Sequence, residues 1–142
     1  MHRPLKGVGK EIFYWGTIAF SLFQLYTAGF GFLADLKQRA VHIIFGLSLL
    51  LLSYDYKKRT EAASRAPFWD IAFIIIVLLA NINIFFVYEE IYLAPGFSTP
   101  KDLILGALLS LVVLEAARRS TGWVIPVLTI LAMAYNLSLI HI

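Results

Sequence analysis

The chain has 142 residues, of which 60% are hydrophobic and 15% are charged, and its mean hydropathy is +0.79. A soluble domain is nearer to about 45–50% apolar and about 25% charged. The apolar residues form long, almost uncharged runs, which argues against a soluble domain. The absence of cysteine excludes disulfides, thiolate nucleophiles and cysteine-ligated metals. The net charge of +3 lies beside the apolar runs, where basic residues orient membrane helices, so nucleic-acid binding is not expected.

Five apolar runs follow one another along the chain, and each predicts a helix. They cover residues 12–33, 40–54, 71–88, 103–117 and 123–142. The first run is longer than the apolar region of a signal peptide, which is about 7–15 residues. The second run contains His42 and is shorter than the hydrocarbon core of a bilayer. To span the membrane, it needs flanking polar side chains that reach the headgroups, or a bilayer that is locally thinner. We predict an all-α integral membrane protein, a bundle of about five transmembrane helices.

The distribution of basic residues predicts the orientation of this bundle. If all five runs span, nine of the twelve Lys and Arg residues lie on the side of the amino terminus and three on the other side. The positive-inside rule then puts the amino terminus in the cytoplasm. Trp15, Trp69 and Trp123 all fall at the same, cytoplasmic side, where tryptophan anchors helices in the headgroup region.

Polar and small residues recur at helical spacing, which predicts faces turned toward other helices rather than toward lipid. The candidates for structural or interface roles are Arg39, His42, Asp70, Asn81, Glu115, Arg118 and Arg119. Those for close helix packing are Gly31, Gly46, Gly106 and Ser110. Most of the ionisable groups lie near helix ends, so we expect packing and anchoring rather than a substrate or ion path, and no buried ion cluster.

A structural clamp is predicted at the turn between the fourth and fifth helices. Arg118 and Arg119 follow Glu115 by three and four residues, the spacings at which helical side chains meet and pair. The arginines also favour the carboxyl end of the helix through its dipole.

Signals for catalysis are weak. No metalloprotease, nucleophile-elbow or phosphate-loop motif is present, and we expect neither a cofactor nor a metal. Glu89 and Glu90 resemble the paired glutamates of intramembrane CAAX-type proteases, but Ala94 stands where that motif has arginine. A remote alternative, an intramembrane hydrolase, would need two catalytic groups at similar depth. The available groups are Asp70, Glu89, Glu90, Glu115 and His42.

Two stretches resemble the fused permeases of TRAP transporters, in the branch called TAXI. The first, residues 20–54, contains the string Gln-Leu-Tyr-Thr-Ala from Gln24 and then the pair Arg39 and His42. The pair Trp69 and Asp70 opens the third run, as it usually does in that family. The second stretch, residues 102–135, matches the family at Leu114, Glu115, Ala116, Arg118, Arg119, Gly122, Trp123 and Pro126.

This resemblance implies a multi-pass protein of the bacterial inner membrane that takes part in sodium-driven uptake of organic anions, chiefly carboxylates. A periplasmic solute-binding protein delivers the anion to a permease with a small, four-helix Q-like region and a large, mobile M-like region. Residues 1–122 resemble the Q-like region, and residues 123–142 resemble the start of the next helix. We therefore expect a stator, the static scaffold against which the M-like region moves.

The carboxyl end departs from the family pattern. The last residues, from Asn136, read NLSLIHI where the family usually proceeds through Phe-Gly-Pro. We expect a truncated reading frame whose last six or so residues are foreign. The alternative is a complete small membrane protein, such as a stand-alone Q-like subunit, a channel or an assembly protein.

Overall fold

The computed structural model of the chain describes residues 7–31, 34–54, 68–94, 96 and 99–140. These residues form five α-helices: α1 (Val8–Phe30), α2 (Asp35–Ser53), α3 (Phe68–Leu93), α4 (Pro100–Thr121) and α5 (Val124–Ile140). The predicted all-α, five-helix architecture is confirmed. Several residues used in the sequence argument lie outside the described residues, namely Arg3, Lys6, Leu33, Lys57, Lys58, Arg59, Arg65 and the last two residues of the chain.

Helices α2 and α4 begin before their apolar runs, because polar residues form their first turns. Helix α2 starts at Asp35 rather than Ala40, and its first turn holds an ion pair between Asp35 and Arg39. Helix α4 starts at Pro100, because the Thr99 side chain accepts a hydrogen bond from the Asp102 backbone and Asp102 reciprocates. This capping box satisfies backbone donors that a helix start leaves unpaired. As a result α2 has 19 residues, more than its apolar run predicted.

Consecutive helices pack in antiparallel fashion. A Cβ built at Gly16, near the start of α1, would lie 3.1 Å from Leu49 near the end of α2. Further along, Phe20 stacks on Phe45 with ring centroids 5.5 Å apart. Helix α3 packs against α2 and α4, while α1 contacts α2 and α5 contacts α4. The amino ends of α1, α3 and α5 therefore share one end of the bundle with the carboxyl ends of α2 and α4.

The core lies where α2, α3 and α4 meet. Leu51, Val77 and Val112, one from each helix, are at most 2% exposed. By contrast, α1 and α5 present large apolar side chains on their outer surfaces, such as Leu25 at 71% and Leu131 at 61% exposure. Three helices thus form the packed centre, and the first and last helices flank it.

Within the described part of the chain, two helices are long and apolar enough to cross a membrane. These are α2, with a mean hydropathy of 1.3, and α3, with 2.6. Helix α5 has 17 residues. Its apolar part, Val124–Asn136, is shorter than α2 and α3.

The predicted small and polar faces divide into two groups. On α3, Asp70 and Asn81 are fully buried, as expected for a face turned toward other helices. On α4, Gly106 and Ser110 are exposed, because the inward face of that helix is formed by Val112 and the residues one and two turns beyond it.

The predicted packing glycines are likewise placed differently from expectation. Among the described residues, nothing lies within 4 Å of a Cβ built at Gly46 or Gly106, so neither brings two helices of this chain close together. Close approach occurs instead at Gly16, which was not among the residues predicted for close packing. Gly31 ends α1 in the left-handed conformation, with φ 58° and ψ 31°, a role that glycine fills without strain.

Candidate functional site

A buried ion pair joins α3 and α4 at the end of the bundle where α2 also terminates. Arg119 lies in the last turn of α4 and Asp70 in the first turn of α3, and antiparallel packing brings these turns together. The Arg119 Nη1 atom donates to Asp70 Oδ1 at 2.7 Å. The two side chains are 1% and 0% exposed. The expectation of no buried ion cluster was therefore wrong.

Glu115 extends this pair into a network on α4. Its carboxylate accepts two hydrogen bonds from Arg118, at 2.7 and 2.8 Å, and one from Arg119 Nε at 2.7 Å. The pairing expected from the three- and four-residue spacings is present. Because Arg119 binds both Glu115 and Asp70, the predicted local clamp is part of a link between helices. Two acids and two arginines balance their charges there.

Two further contacts complete the surroundings of the arginines. Arg119 Nη1 also approaches the Tyr54 carbonyl oxygen at 3.4 Å, which ties the end of α2 to the network. The Phe73 ring lies 5.6 Å from the Arg119 guanidinium carbon, and the Trp123 ring lies 5.3 Å from that of Arg118. The aromatic faces favour a cation electrostatically, as cation–π contacts do. The network, defined here as Asp70, Glu115, Arg118 and Arg119, therefore joins α3 to α4 and also contacts the residue that follows α2 and the residue that precedes α5.

The three tryptophans lie at the end of the bundle that holds this network. Trp15 is in the second turn of α1, Trp69 is the second residue of α3, and Trp123 precedes α5. Each is more than 60% exposed. Their common placement agrees with the expectation that they occupy one side.

The remaining predicted polar residues lie away from the network. A hydrogen bond joins Gln24 Nε2 on α1 to His42 Nδ1 on α2. Both line an open cleft of about 330 Å³ together with Arg39, whose ion pair with Asp35 is largely exposed. Along α2, His42 is twelve residues before Tyr54, which corresponds to a rise of about 18 Å. His42 and the ion network are therefore separate sites.

Asparagines occupy the middle and far part of α3. Asn81 is fully buried, and its Nδ2 donates to the Val77 carbonyl at 2.8 Å. Asn83, which the sequence argument did not single out, donates to Asp102 Oδ1 at 2.6 Å and so joins α3 to the start of α4. Within the described residues, the Oδ1 atoms of both asparagines are buried without a hydrogen-bond donor. The pairing with Asp102 fixes the register of α3 against α4 at this end.

Asp102 precedes the apolar run 103–117 and lies in the capping turn of α4. Hydrogen bonds from the Thr99 side chain and then from Asn83 hold the pKa of the Asp102 carboxyl below its usual value, because they favour the ionised form. The capping turn thus carries a stable negative charge.

The network links α3 to α4 through the bond between Arg119 and Asp70. Asp70 and Glu115 do converge, through Arg119, so the condition for a hydrolase is met in part. However, guanidinium groups bind both oxygens of Glu115 and the Oδ1 atom of Asp70, and a carboxylate oxygen bound in this way is less able to accept a proton from water. Glu89 and Glu90 lie in the last turns of α3, at the opposite end. Among the described residues, no three His, Asp or Glu side chains are grouped to hold a metal ion.

No protein-family model matches this chain, and no curated protein and no solved structure shows significant similarity to it.

Proposed function

We propose that this chain is a membrane scaffold: the small, Q-like part of the permease of a sodium-coupled, binding-protein-dependent TRAP transporter of the TAXI branch. In this proposal all five helices cross the bacterial inner membrane with the amino terminus in the cytoplasm. The transported compounds are organic anions, chiefly carboxylates. The partners are the M-like permease region, the periplasmic solute-binding protein and the lipid bilayer.

The observation that carries the proposal is the buried ion network at one end of the bundle. A scaffold has to keep its helices fixed while a neighbouring region moves. The Arg119–Asp70 pair connects α3 to α4, and Glu115 holds Arg119 from its other side. Breaking a buried pair by removing one partner typically costs about 3–5 kcal/mol, because a charge is left unpaired. Such a link favours a static role for these helices.

The positions of charge and tryptophan support the proposed orientation. The end of the bundle that holds the ion network also holds the exposed Trp15, Trp69 and Trp123. In the sequence, the basic residues of the amino terminus and of the segment between α2 and α3 belong to the same side. Under the positive-inside rule this side is cytoplasmic.

The outer helices supply the surface that an M-like region would use. Among the described helices, α5 contacts α4 alone, and apart from the buried Pro126 its described side chains are exposed. In the resembling permeases the next helix leads toward the M-like region. We assign that contact to α5 and to the neighbouring exposed face of α4, which includes Gly106 and Ser110.

The test is co-assembly followed by transport. The tagged chain is co-expressed with the M-like region of a TAXI-type permease as a separate polypeptide, purified, and reconstituted in liposomes with the matching binding protein. We expect the two polypeptides to co-purify and to show sodium-driven uptake, whereas the chain alone shows none. Uptake by the chain alone, or purification without the M-like region, would overturn the scaffold proposal. A variant with bulky side chains on α5, Ala132→Trp with Ala134→Trp, should weaken co-purification.

The DNA downstream of this coding sequence gives an independent and inexpensive discriminator. A frame that continues into an M-like region would support the permease scaffold. A true stop codon, with no M-like coding sequence nearby, would favour a stand-alone membrane subunit or an assembly protein.

A further inference from the structure

An apolar groove runs along the outside of the bundle between α3 and α4, at the end opposite the ion network. It has a volume of about 610 Å³. Its walls include Leu79, Ile82 and Phe86 from α3 and Ile104 and Leu105 from α4. Phe86 is 82% exposed and Ile104 is 61% exposed, so the groove is open along its length. In the proposed membrane setting, such a surface faces lipid chains.

The mouth of the groove carries charges of both signs. Lys101, in the first turn of α4, lines it directly. Glu90 lies one helical turn beyond Phe86 on the same face of α3, because residues four apart on a helix share a face. Both residues are exposed. In the part of the chain that the structure describes, neither forms an ion pair.

The third charged group near the mouth, Asp102, is already engaged. It accepts hydrogen bonds from Thr99 and Asn83 and belongs to the capping box of α4. Glu89 is adjacent to Glu90 at the end of α3 and adds negative charge there. The mouth therefore offers one ammonium donor on α4 and a carboxylate on α3, both just outside the apolar runs that end at residue 88 and begin at residue 103.

From this arrangement we propose that the groove binds one phospholipid whose headgroup carries both a phosphate and a primary ammonium, as phosphatidylethanolamine does. One acyl chain lies against Leu79, Ile82 and Ile104. The phosphate pairs with Lys101, and the ammonium donates hydrogen bonds to Glu90. This inference rests on the proposed location of the chain in a bilayer.

The charges at the mouth discriminate against other common headgroups. An anionic headgroup such as glycerol phosphate would gain Lys101 but would face the carboxylates of Glu89 and Glu90, and like charges brought together oppose binding. A choline headgroup has no N–H to donate, so it cannot form the charge-assisted hydrogen bond to Glu90 that an ammonium forms. The charged residues at the mouth thus favour a headgroup that carries a positive charge and also has N–H groups to donate.

The test measures lipid retention by native mass spectrometry. The purified chain is reconstituted in nanodiscs of equimolar phosphatidylethanolamine, phosphatidylglycerol and phosphatidylcholine, then released into mild detergent. We expect one ethanolamine lipid per chain, favoured by about tenfold over each competitor, which corresponds to about 1.4 kcal/mol. Glu90→Lys should shift retention toward phosphatidylglycerol, and Ile104→Trp should block the groove and abolish retention. Leu128→Trp on α5, at a site that is 57% exposed, is the matched control and should retain the lipid.

Two kinds of failure are distinguishable. Equal retention of the three lipids, or normal retention by Ile104→Trp, would overturn the lipid site while leaving the membrane scaffold intact. A chain that does not enter nanodiscs at all would overturn both proposals.

Discussion

Arg119 and Asp70 are 49 residues apart in the sequence, yet Arg119 Nη1 lies 2.7 Å from Asp70 Oδ1. Both side chains are almost completely buried, at 1% and 0% exposure. The pair lies between the first turn of α3 and the last turn of α4, and Glu115 holds the same guanidinium from within α4. A long-range contact of this kind fixes how two helices are aligned along their axes.

The first prediction concerns this pair. Asp70→Asn alone should lower the free energy of unfolding by about 3–5 kcal/mol, because it leaves Arg119 buried with less compensation. The double variant Asp70→Asn with Arg119→Gln should lose much less than the sum of the two single variants, since neither buried charge remains. Thermal unfolding in detergent, followed by size-exclusion chromatography, measures the four states of this cycle. Strictly additive losses would show that the two side chains do not interact.

A second prediction separates structure from transport at Glu115. Glu115→Gln weakens the bonds to Arg118 and Arg119, so the membrane-inserted yield should fall modestly. In the transporter that we propose, the sodium requirement of uptake should stay unchanged, because the Glu115 carboxylate is engaged by Arg118 and Arg119. Glu11→Gln, in the first turn of α1, is the control and should leave the yield as it is. An altered sodium dependence in the Glu115 variant would place this residue in the transport mechanism instead.

The third prediction compares glycines within helices. Replacing a helical glycine by alanine stabilises a helix by up to about 1 kcal/mol when the new methyl group has space. Gly46→Ala and Gly106→Ala should show such a gain, because nothing described lies within 4 Å of the added Cβ. Gly16→Ala should gain less or lose stability, since its Cβ would meet Leu49 Cδ2 at 3.1 Å. Equal stabilisation of all three in thermal unfolding would mean that α1 and α2 are not in close contact there.

The fourth prediction tests orientation with single cysteines, which is practical because the natural chain contains none. Thr121, at the end of α4, and Ala94, just after α3, are exposed and lie at opposite ends of the bundle. A cysteine at position 121 should react with an impermeant thiol reagent only from the cytoplasmic side. One at position 94 should react only from outside. The reverse pattern would invert the proposed topology, and reaction of both from one side would rule out a spanning α4.

The fifth prediction concerns the capping turn of α4. Thr99→Ala removes the N-cap and should lower the free energy of unfolding by about 1 kcal/mol.

The stability of the wild-type turn should also depend on pH in a defined direction. Hydrogen bonds lower the pKa of the Asp102 carboxyl in the folded chain, so its contribution to stability is present above the unfolded pKa, which is about 4. That contribution is lost as the pH falls through the lower, folded pKa. A stability profile of Thr99→Ala should be flatter in this acidic range than that of the wild-type chain, and an identical profile would contradict the assigned hydrogen bonds.

The existence and order of the five helices follow from the sequence, because long apolar runs separated by charged clusters have few other solutions. The local part of the ion network also follows, since Glu115, Arg118 and Arg119 are spaced to meet on one helix. The starts of the helices were harder to predict from the sequence. The capping signal formed by Thr99 and Asp102 was available in the sequence, but the apolar pattern alone placed the start of α4 at residue 103.

What the tertiary structure alone decided is which distant residues meet. Helical periodicity places a side chain on a face of its own helix, but it does not say which neighbour that face contacts or how two helices are offset along their axes. For this reason Asp70 and Arg119 could be placed at one end of the bundle from the sequence but not paired with each other. The bond between Asn83 and Asp102 was not predicted. Close packing was predicted at Gly46 and Gly106, whereas in the structure it occurs at Gly16. Those choices depend on the register between antiparallel helices, which is determined by the packing of the whole bundle.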